Sequence, residues 1–570
     1  MKMSIIIDQI PQQLREEIMK SEPVAALIKQ NIPLSQIMLA EETYQSIFHA
    51  LRFYEKHTLR IIVCKFAAQP FDLLSLQAAR NAAQLSGAEV AAGLVGLQRK
   101  GIIYAIHKHW GENSFCLPVD LLAIWQKLIM EPTCIWEEIG DHDVGSILDV
   151  PPLVLNNLFC FLNYLEHQHI KLTRKAEIPK RDCNRILQQL QWKENCLTLW
   201  ELKREYILLY PISLSLTMDI AERLDLIRWS KTSLSLCRAN LHRWLQLSKV
   251  EMNQQIFQLF CNLYVPSSAA DEHFLTKMYA LSSQKWYLLE DFTAWLQEYD
   301  IIIMFSDWLV FCEAFGWIEQ GFAHESRPIF RLRLNREKTN VSDTPIGKFH
   351  VQSDYEILVP PDVSFAIRWE LTYLSDHIHT EQVGVYRLTQ PSLLRAIHSG
   401  RSLEHCIEFL TEHSLFGVPD SVINVLLQWA QVEVSGTEQI ASIDEEELHN
   451  SALEIFTTKV SYDWVTKIPS RDEVYPLWQT IPPLWWKACR VYHASTRKEI
   501  AQLAIKWKAS LKLSDQHKEW NFIPKQVIES DKCWHLEGWV ESVLVSYSQD
   551  QWSAMQLILT GFDDLINLSN

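Results

Sequence analysis

Glycine supplies only 16 of the 570 residues and proline 22. So little of either excludes collagen-like and low-complexity chains and works against β-solenoids and glycine-rich phosphate loops. The sequence holds a single Gly-Lys pair, Gly347-Lys348, and Phe349 follows it where a phosphate loop needs Ser or Thr. A nucleotide motor requires that loop, whose backbone N–H groups cradle phosphate, and a strand-borne Asp-Glu pair for Mg²⁺. Asp444-Glu445 falls in an acidic stretch with no strand before it, and Asp271-Glu272-His273 lacks helicase spacing. The chain is therefore expected not to be an enzyme: no ATPase by itself and no catalytic residue. G-x-G-x-x-G, G-x-S-x-G and H-E-x-x-H are all missing, so no cofactor and no metal are expected. The pairs His167/His169 and His377/His379 have no further ligand at metal spacing and read as surface histidines. Glu201-Leu202-Lys203 fits the short half of a nuclease pattern, a three-residue match common by chance.

Long apolar runs are also missing. Asp8 ends the run Ile5–Ile7, and Asp307 breaks the best later candidate, Ile301–Met304 with Trp308–Phe311. Neither a signal peptide nor a membrane span is expected. The 12 cysteines are dispersed with no C-x-x-C pair. Dispersed thiols in a long chain point to a reduced, cytoplasmic setting.

What is present is an ordinary globular composition, 48% hydrophobic and 21% charged, with an unusual 22 tryptophans. A length of 570 residues predicts about three to five domains at roughly 100–200 residues each. The net charge of −16 excludes a protein that coats nucleic acid over its whole surface, though a local basic face remains open. The fold class expected is predominantly α with small β units, an α+β chain of several domains.

Residues 1–56 read as a helical segment punctuated by Pro11, Pro23 and Pro33. In 57–130, three helices precede a hairpin, Ile102–Ile106 with Ser114–Leu117, which is the winged-helix plan. The third helix opens with the capping box Ser86 to Glu89 and stops at Gly101; only Gln98, Arg99 and Lys100 at its end could reach DNA. A second helix–turn–helix or winged-helix pattern spans 150–215. Its turn and following helix carry Lys171, Arg174, Lys175, Lys180, Arg181 and Arg185 against Glu177 and Asp182, the local basic excess where phosphates would sit. Residues 216–335 read as helices ending in a third wing, with Arg331, Arg333 and Arg336 on one exposed strand face. A polar linker follows, then a compact α+β unit at 348–430, a solvated and partly disordered acidic linker at 431–470, and a β-rich unit at 475–570 closed by a helix over 551–568. Lys506, Lys508, Lys512 and Lys525 form a second basic patch in that tail. Its tryptophans read as core.

Within 348–430, Val351, Gln352 and Asp354 precede an apolar-Pro ending; Tyr386, Arg387 and Thr389 form a Y-R-L-T run; Ser392, Gly400, Ser402, Val418 and Pro419 follow. This pattern resembles the N-terminal domain of XPB-type DNA helicases in its bacterial helicase-associated form, over about 85 residues. The tail, with Trp534-His535-Leu536, resembles a WYL-type barrel. The resemblance implies DNA repair or transcription: a DNA-binding adaptor, with DNA and a separate helicase or nuclease subunit as partners. The alternatives are a WYL-type regulator whose winged helices bind an operator, and a protein-only scaffold.

Overall fold

The computed structural model describes residues 2–81, 84–107, 113–130, 138–148, 153–192, 197, 209–263, 268–283, 285–303, 305–334, 347–380, 383–431, 463–464, 470–515, 518–530 and 533–562. The capping box forms: Ser86 Oγ accepts from the Glu89 N–H at 3.2 Å, and Glu89 Oε2 accepts from the Ser86 N–H at 2.8 Å. Five short helices come first: α1 Met3–Gln9, α2 Gln12–Lys20, α3 Val24–Lys29, α4 Leu34–Ile37 and α5 Glu41–Ala50. Unit one then comprises α6 Phe53–Phe66, α7 Leu73–Ala79, α8 Gly87–Arg99 and the hairpin β1 Tyr104–His107 with β2 Asn113–Cys116. Between α6 and α7, Phe71 bridges to Phe115 on β2. Helix α9 Leu122–Ile129 and strands β3 Glu138–Ile139 and β4 Val144–Ile147 follow.

Unit two repeats the order: α10 Leu153–His167, β5 Ile170–Lys171, α11 Lys180–Gln189, α12 Ile212–Arg223, and the hairpin β6 Ile227–Trp229 with β7 Ser233–Leu236. Here β5 pairs with β7. Helices α13 Arg238–Leu245 and α14 Lys249–Leu263 lead to unit three. It holds α15 Ala269–Ala280, β8 Trp286–Leu288, α16 Leu289–Glu298, α17 Phe305–Ala314 and the hairpin β9 Ile318–Ala323 with β10 Pro328–Leu332, β8 pairing with β10. The same plan thus occurs three times, with a short strand after the first helix laid against the second strand of a terminal hairpin. Unit two runs past 215, because the hairpin that completes it lies in a stretch whose sequence reads as mostly helical. Its strands are three and four residues long, too short to show a period.

A fourth unit contains β11 His350–Val351, β12 Glu356–Val359, α18 Phe365–Leu374, β13 Asp376–Thr380, β14 Gly384–Arg387, α19 Gln390–His398, α20 Leu403–His413 and α21 Asp420–Gln431. Its sheet, ordered β11-β12-β14-β13, is antiparallel throughout. Strand β15 Asp463–Trp464, helices α22 Arg471–Val474 and α23 Leu484–Lys487, β16 Arg490–Val491, α24 Ala494–Trp507, β17 Leu511–Ser514, β18 Glu519–Ser530, β19 Cys533–Val540, β20 Val543–Ser548 and β21 Ala554–Leu557 complete the chain. The last six strands form one sheet, ordered β16-β21-β17-β18-β19-β20. The closing helix expected from residue 551 is replaced by β21 over its described part. Met555, Leu557 and Leu559 are buried in alternation, the period of a strand rather than of a helix. The linkers expected at 336–347 and 431–470 lie almost wholly outside the described residues. Together the elements make a multi-domain α+β fold.

One apolar core runs through units one to three, while the fourth unit and the C-terminal sheet each have their own. The small residues of α8 follow from its packing on α6. A Cβ placed on Gly93 would run into the Thr58 side chain and stand 3.1 Å from the Tyr54 carbonyl oxygen. Gly93→Ala would gain about 1 kcal/mol of helix propensity but lose about 1–3 kcal/mol to overpacking. A net loss of stability is expected, read as a lower denaturant midpoint; a rise would contradict this packing.

Candidate nucleic-acid interface

The six basic residues of the second unit lie on β5, on the turn that follows it and on α11. Leu172 N–H donates to the Thr232 carbonyl at 2.8 Å, which ties the chain after β5 to the tip of the β6–β7 hairpin. A tight turn follows, with Ala176 at φ +58° and its N–H on the Thr173 carbonyl, and it holds Arg174 and Lys175 outward. Pro179 stands at the cap of α11. That helix buries Cys183 and Ile186 and turns Lys180, Arg181 and Arg185 to solvent. Lys171, Arg174, Lys175, Lys180, Arg181 and Arg185 are all exposed, and none makes an ion pair among the described residues. Asp182 is occupied by Tyr164, whose hydroxyl donates to it at 2.9 Å. Burial and then Asp182 push the Tyr164 hydroxyl above its ordinary pKa, with Arg185 opposing. Lys180 and Arg181 sit in the first turn of α11, where the helix dipole disfavours cations by about 0.3–1 kcal/mol each; a bound phosphate reverses that sign.

The hairpin contributes two cations the sequence reading missed. Arg228 lies on β6 and Lys231 at the hairpin tip, both exposed and both without an ion pair among the described residues. Lys231 adjoins Thr232, the residue bound to the chain after Lys171. The signal was available: a basic residue inside a Ser-Lys-Thr-Ser turn between two short apolar runs.

The other predicted basic residues are mostly committed elsewhere. Lys100 is paired with Glu55, which is only 3% exposed. Arg99 and Lys100 line a cavity of about 490 Å³ together with Lys20, Arg52 and Thr560. Lys508 donates to Gln77 Oε1 at 2.5 Å and its carbonyl accepts from Ala88 N–H, so it joins the C-terminal unit to unit one. Lys512 pairs with Glu519, and Lys525 with Glu537 at 2.7 Å. Of that patch only Lys506 is exposed and unpaired among the described residues. On unit three, Arg331 and Arg333 both pair with Glu319, and Arg331 lies over Trp286 at 4.6 Å; Arg336 lies outside the described residues. Trp486, Trp507, Trp534 and Trp552 of the tail are buried. Among the described residues no group of three His, Cys, Asp or Glu could hold a metal ion, and no helix is long and apolar enough to cross a membrane.

Units one and three do not present an equivalent surface. β15 covers the outer edge of β1, and β4 covers the outer edge of β9, whereas β6 has no strand on its outer edge among the described residues. The third helix, which in such a plan would read a groove, is covered in every unit. α8 and α12 have no exposed residue, and α17 has Ser306 alone.

The fourth unit rests on unit two through α18. Phe159 meets Phe365 at 5.2 Å and Trp369 at 5.9 Å between ring centroids. Glu166 accepts from the Tyr373 hydroxyl at 2.8 Å and pairs with Arg238 at 2.9 Å, while Arg401 stacks on Tyr373 at 3.6 Å. The motif residues that carried the resemblance turn out to build this unit. Asp354 Oδ1 accepts from Glu356 N–H beside Tyr355 at φ +73°, Thr389 and Ser392 cap α19, Gly400 ends it at φ +91°, and Ser402 caps α20. Residues 349–432 match a family model described as the helicase conserved C-terminal domain. The chain therefore carries a helicase-related unit; the match names the C-terminal domain of that family where the sequence reading had an XPB N-terminal domain. No curated protein matches the chain.

Proposed function

We propose that this protein is a non-enzymatic, helicase-associated adaptor that grips the backbone of DNA through unit two and leaves nucleotide hydrolysis to a separate subunit. The three repeated units are winged helices in this reading. One observation carries it: among the described residues, the one hairpin of the three whose outer edge has no strand partner belongs to the unit whose six predicted cations are exposed and make no ion pair. Because no side chain of α12 is more than partly exposed, contact comes from α11, the 172–179 turn and the hairpin tip. Such contacts meet phosphate rather than base edges, so binding is insensitive to sequence. That disfavours the operator-binding regulator, which needs an exposed recognition helix. The antiparallel sheet of the helicase-related unit also supports the adaptor reading, since nucleotide-binding α/β folds are built on parallel sheets.

The test is a salt titration of duplex binding. Log affinity is expected to fall with log salt at about −0.9 per phosphate contact, hence a slope near −5 if all six residues reach phosphate. Random-sequence duplexes should compete about equally. A flat salt response sinks the reading in favour of a protein-only scaffold, and ATP hydrolysis by the pure chain sinks the adaptor role.

A further inference from the structure

The cation row on α11 leads to a second feature. Arg181, Arg185 and Gln189 stand four residues apart, share one helix face and are all exposed. Gln189 also lines a small cavity at the junction of unit two and the helicase-related unit, with Asn156, Asn163, Gln191, Arg368 and Tyr386. The cavity is about 20 Å³, room for one water-sized group. Arg368 is only 6% exposed. Its Nη2 donates to the Pro360 carbonyl at 2.8 Å, and it makes no ion pair with a carboxylate among the described residues. Its Nε is buried without a hydrogen-bond partner among the described residues. A second cation, Lys249, lies over the same Phe365 ring, at 5.4 Å against 5.5 Å for Arg368. A buried guanidinium with no carboxylate in contact, and only Asp362 acting on it from farther off, is unfavourable unless an anion or a full hydrogen-bond set compensates it.

We propose that this junction cavity is an oxyanion site that admits one oxygen of a phosphate group, held by Arg368 and the surrounding side-chain amides. Its size excludes a whole nucleotide, so the rest of the ligand stays outside the cavity. Free phosphate and a phosphate of a bound strand share this chemistry. Either one, held between α18 and α11, would stabilise the joint between the two units.

Thermal unfolding of the full chain tests this, with sodium phosphate compared with sodium chloride at equal ionic strength. Phosphate at about 10 mM is expected to raise Tm by about 2 °C or more. Arg368→Gln should remove the response. Asn163→Asp, which supplies a carboxylate within the cavity, should raise the starting Tm and also remove the response. Arg181→Glu with Arg185→Glu should keep it, which separates this site from the DNA-gripping face. Adding a duplex with or without a 5′-phosphate tells a strand end from free phosphate as the source. No response in the unmodified protein, or an undiminished response in Asn163→Asp, overturns the proposal whether or not Arg368→Gln folds.

Discussion

Arg181→Glu with Arg185→Glu lowers duplex affinity by more than tenfold at moderate salt. Both side chains are exposed on α11 and make no ion pair among the described residues, so reversing them costs the fold little beyond the contact of Arg185 with the Tyr164 hydroxyl. Each lost phosphate contact removes about 0.9 from the salt slope; two contacts carried from about 1 M to about 0.15 M salt amount to roughly thirtyfold, before any repulsion from the new carboxylates. The slope should flatten by about 2. Lys525→Gln serves as control: Lys525 is already paired with Glu537, and its loss should leave affinity within about twofold, because rim charges with a partner contribute little. Unchanged affinity in the double reversal would remove the 168–191 face from consideration.

The second large effect concerns stability and pH at the joint of units one and three. Glu272 and His273, adjacent on α15, are 5% and 1% exposed. Glu272 accepts from Ala68 N–H at 2.8 Å and from Gln69 Nε2 at 2.6 Å. His273 Nε2 lies 2.7 Å from the Val63 carbonyl, and its Nδ1 lies 2.9 Å from Gln126 Nε2. These partners suit a neutral ring protonated on Nε2. Burial raises the Glu272 pKa to about 7, against the pull of its two hydrogen bonds, and burial lowers that of His273 to about 4. The folded state thus binds the Glu272 proton more tightly than the unfolded chain does, so its contribution is lost as pH rises from about 4.5 to 7. It binds the His273 proton less tightly, so that contribution grows as pH rises from about 4 to 6.5. The two slopes oppose and largely cancel.

Single substitutions should therefore unmask them. Relative to the unmodified protein, Glu272→Gln should leave a stability that climbs by about 3 kcal/mol from pH 4 to 6.5, and His273→Gln one that falls by a similar amount toward pH 7. Denaturant midpoints measured across pH 4 to 7 decide it. Two variants whose profiles run parallel to the parent's would show that neither group is buried at a joint.

Much of the local structure was legible because its causes are local. Ser86 and Glu89 cap a helix through atoms three residues apart, Gly101 ends it because φ +70° favours a residue without Cβ, and Thr389, Ser392, Gly400 and Ser402 punctuate the helicase-related unit in the same way. The basic excess at 168–191 was legible for a similar reason, since clustered charge in an acidic chain is a property of the sequence itself. The hairpin β6–β7 was not, and neither was β21, since strands this short look like any apolar stretch until a neighbour pairs with them.

Residue types, helix ends and the local sign of charge were thus determined by the sequence alone. Which charges stay free was decided only by the tertiary structure. Lys506 and Lys508 stand two residues apart and read alike, yet Lys506 faces solvent while Lys508 reaches Gln77 in unit one. In the same way, α8 and α12 differ in composition but both lose every exposed position, and two hairpins of three have their outer edge covered by a distant strand. Exposure and pairing depend on partners brought together from far along the chain, and no local pattern encodes them.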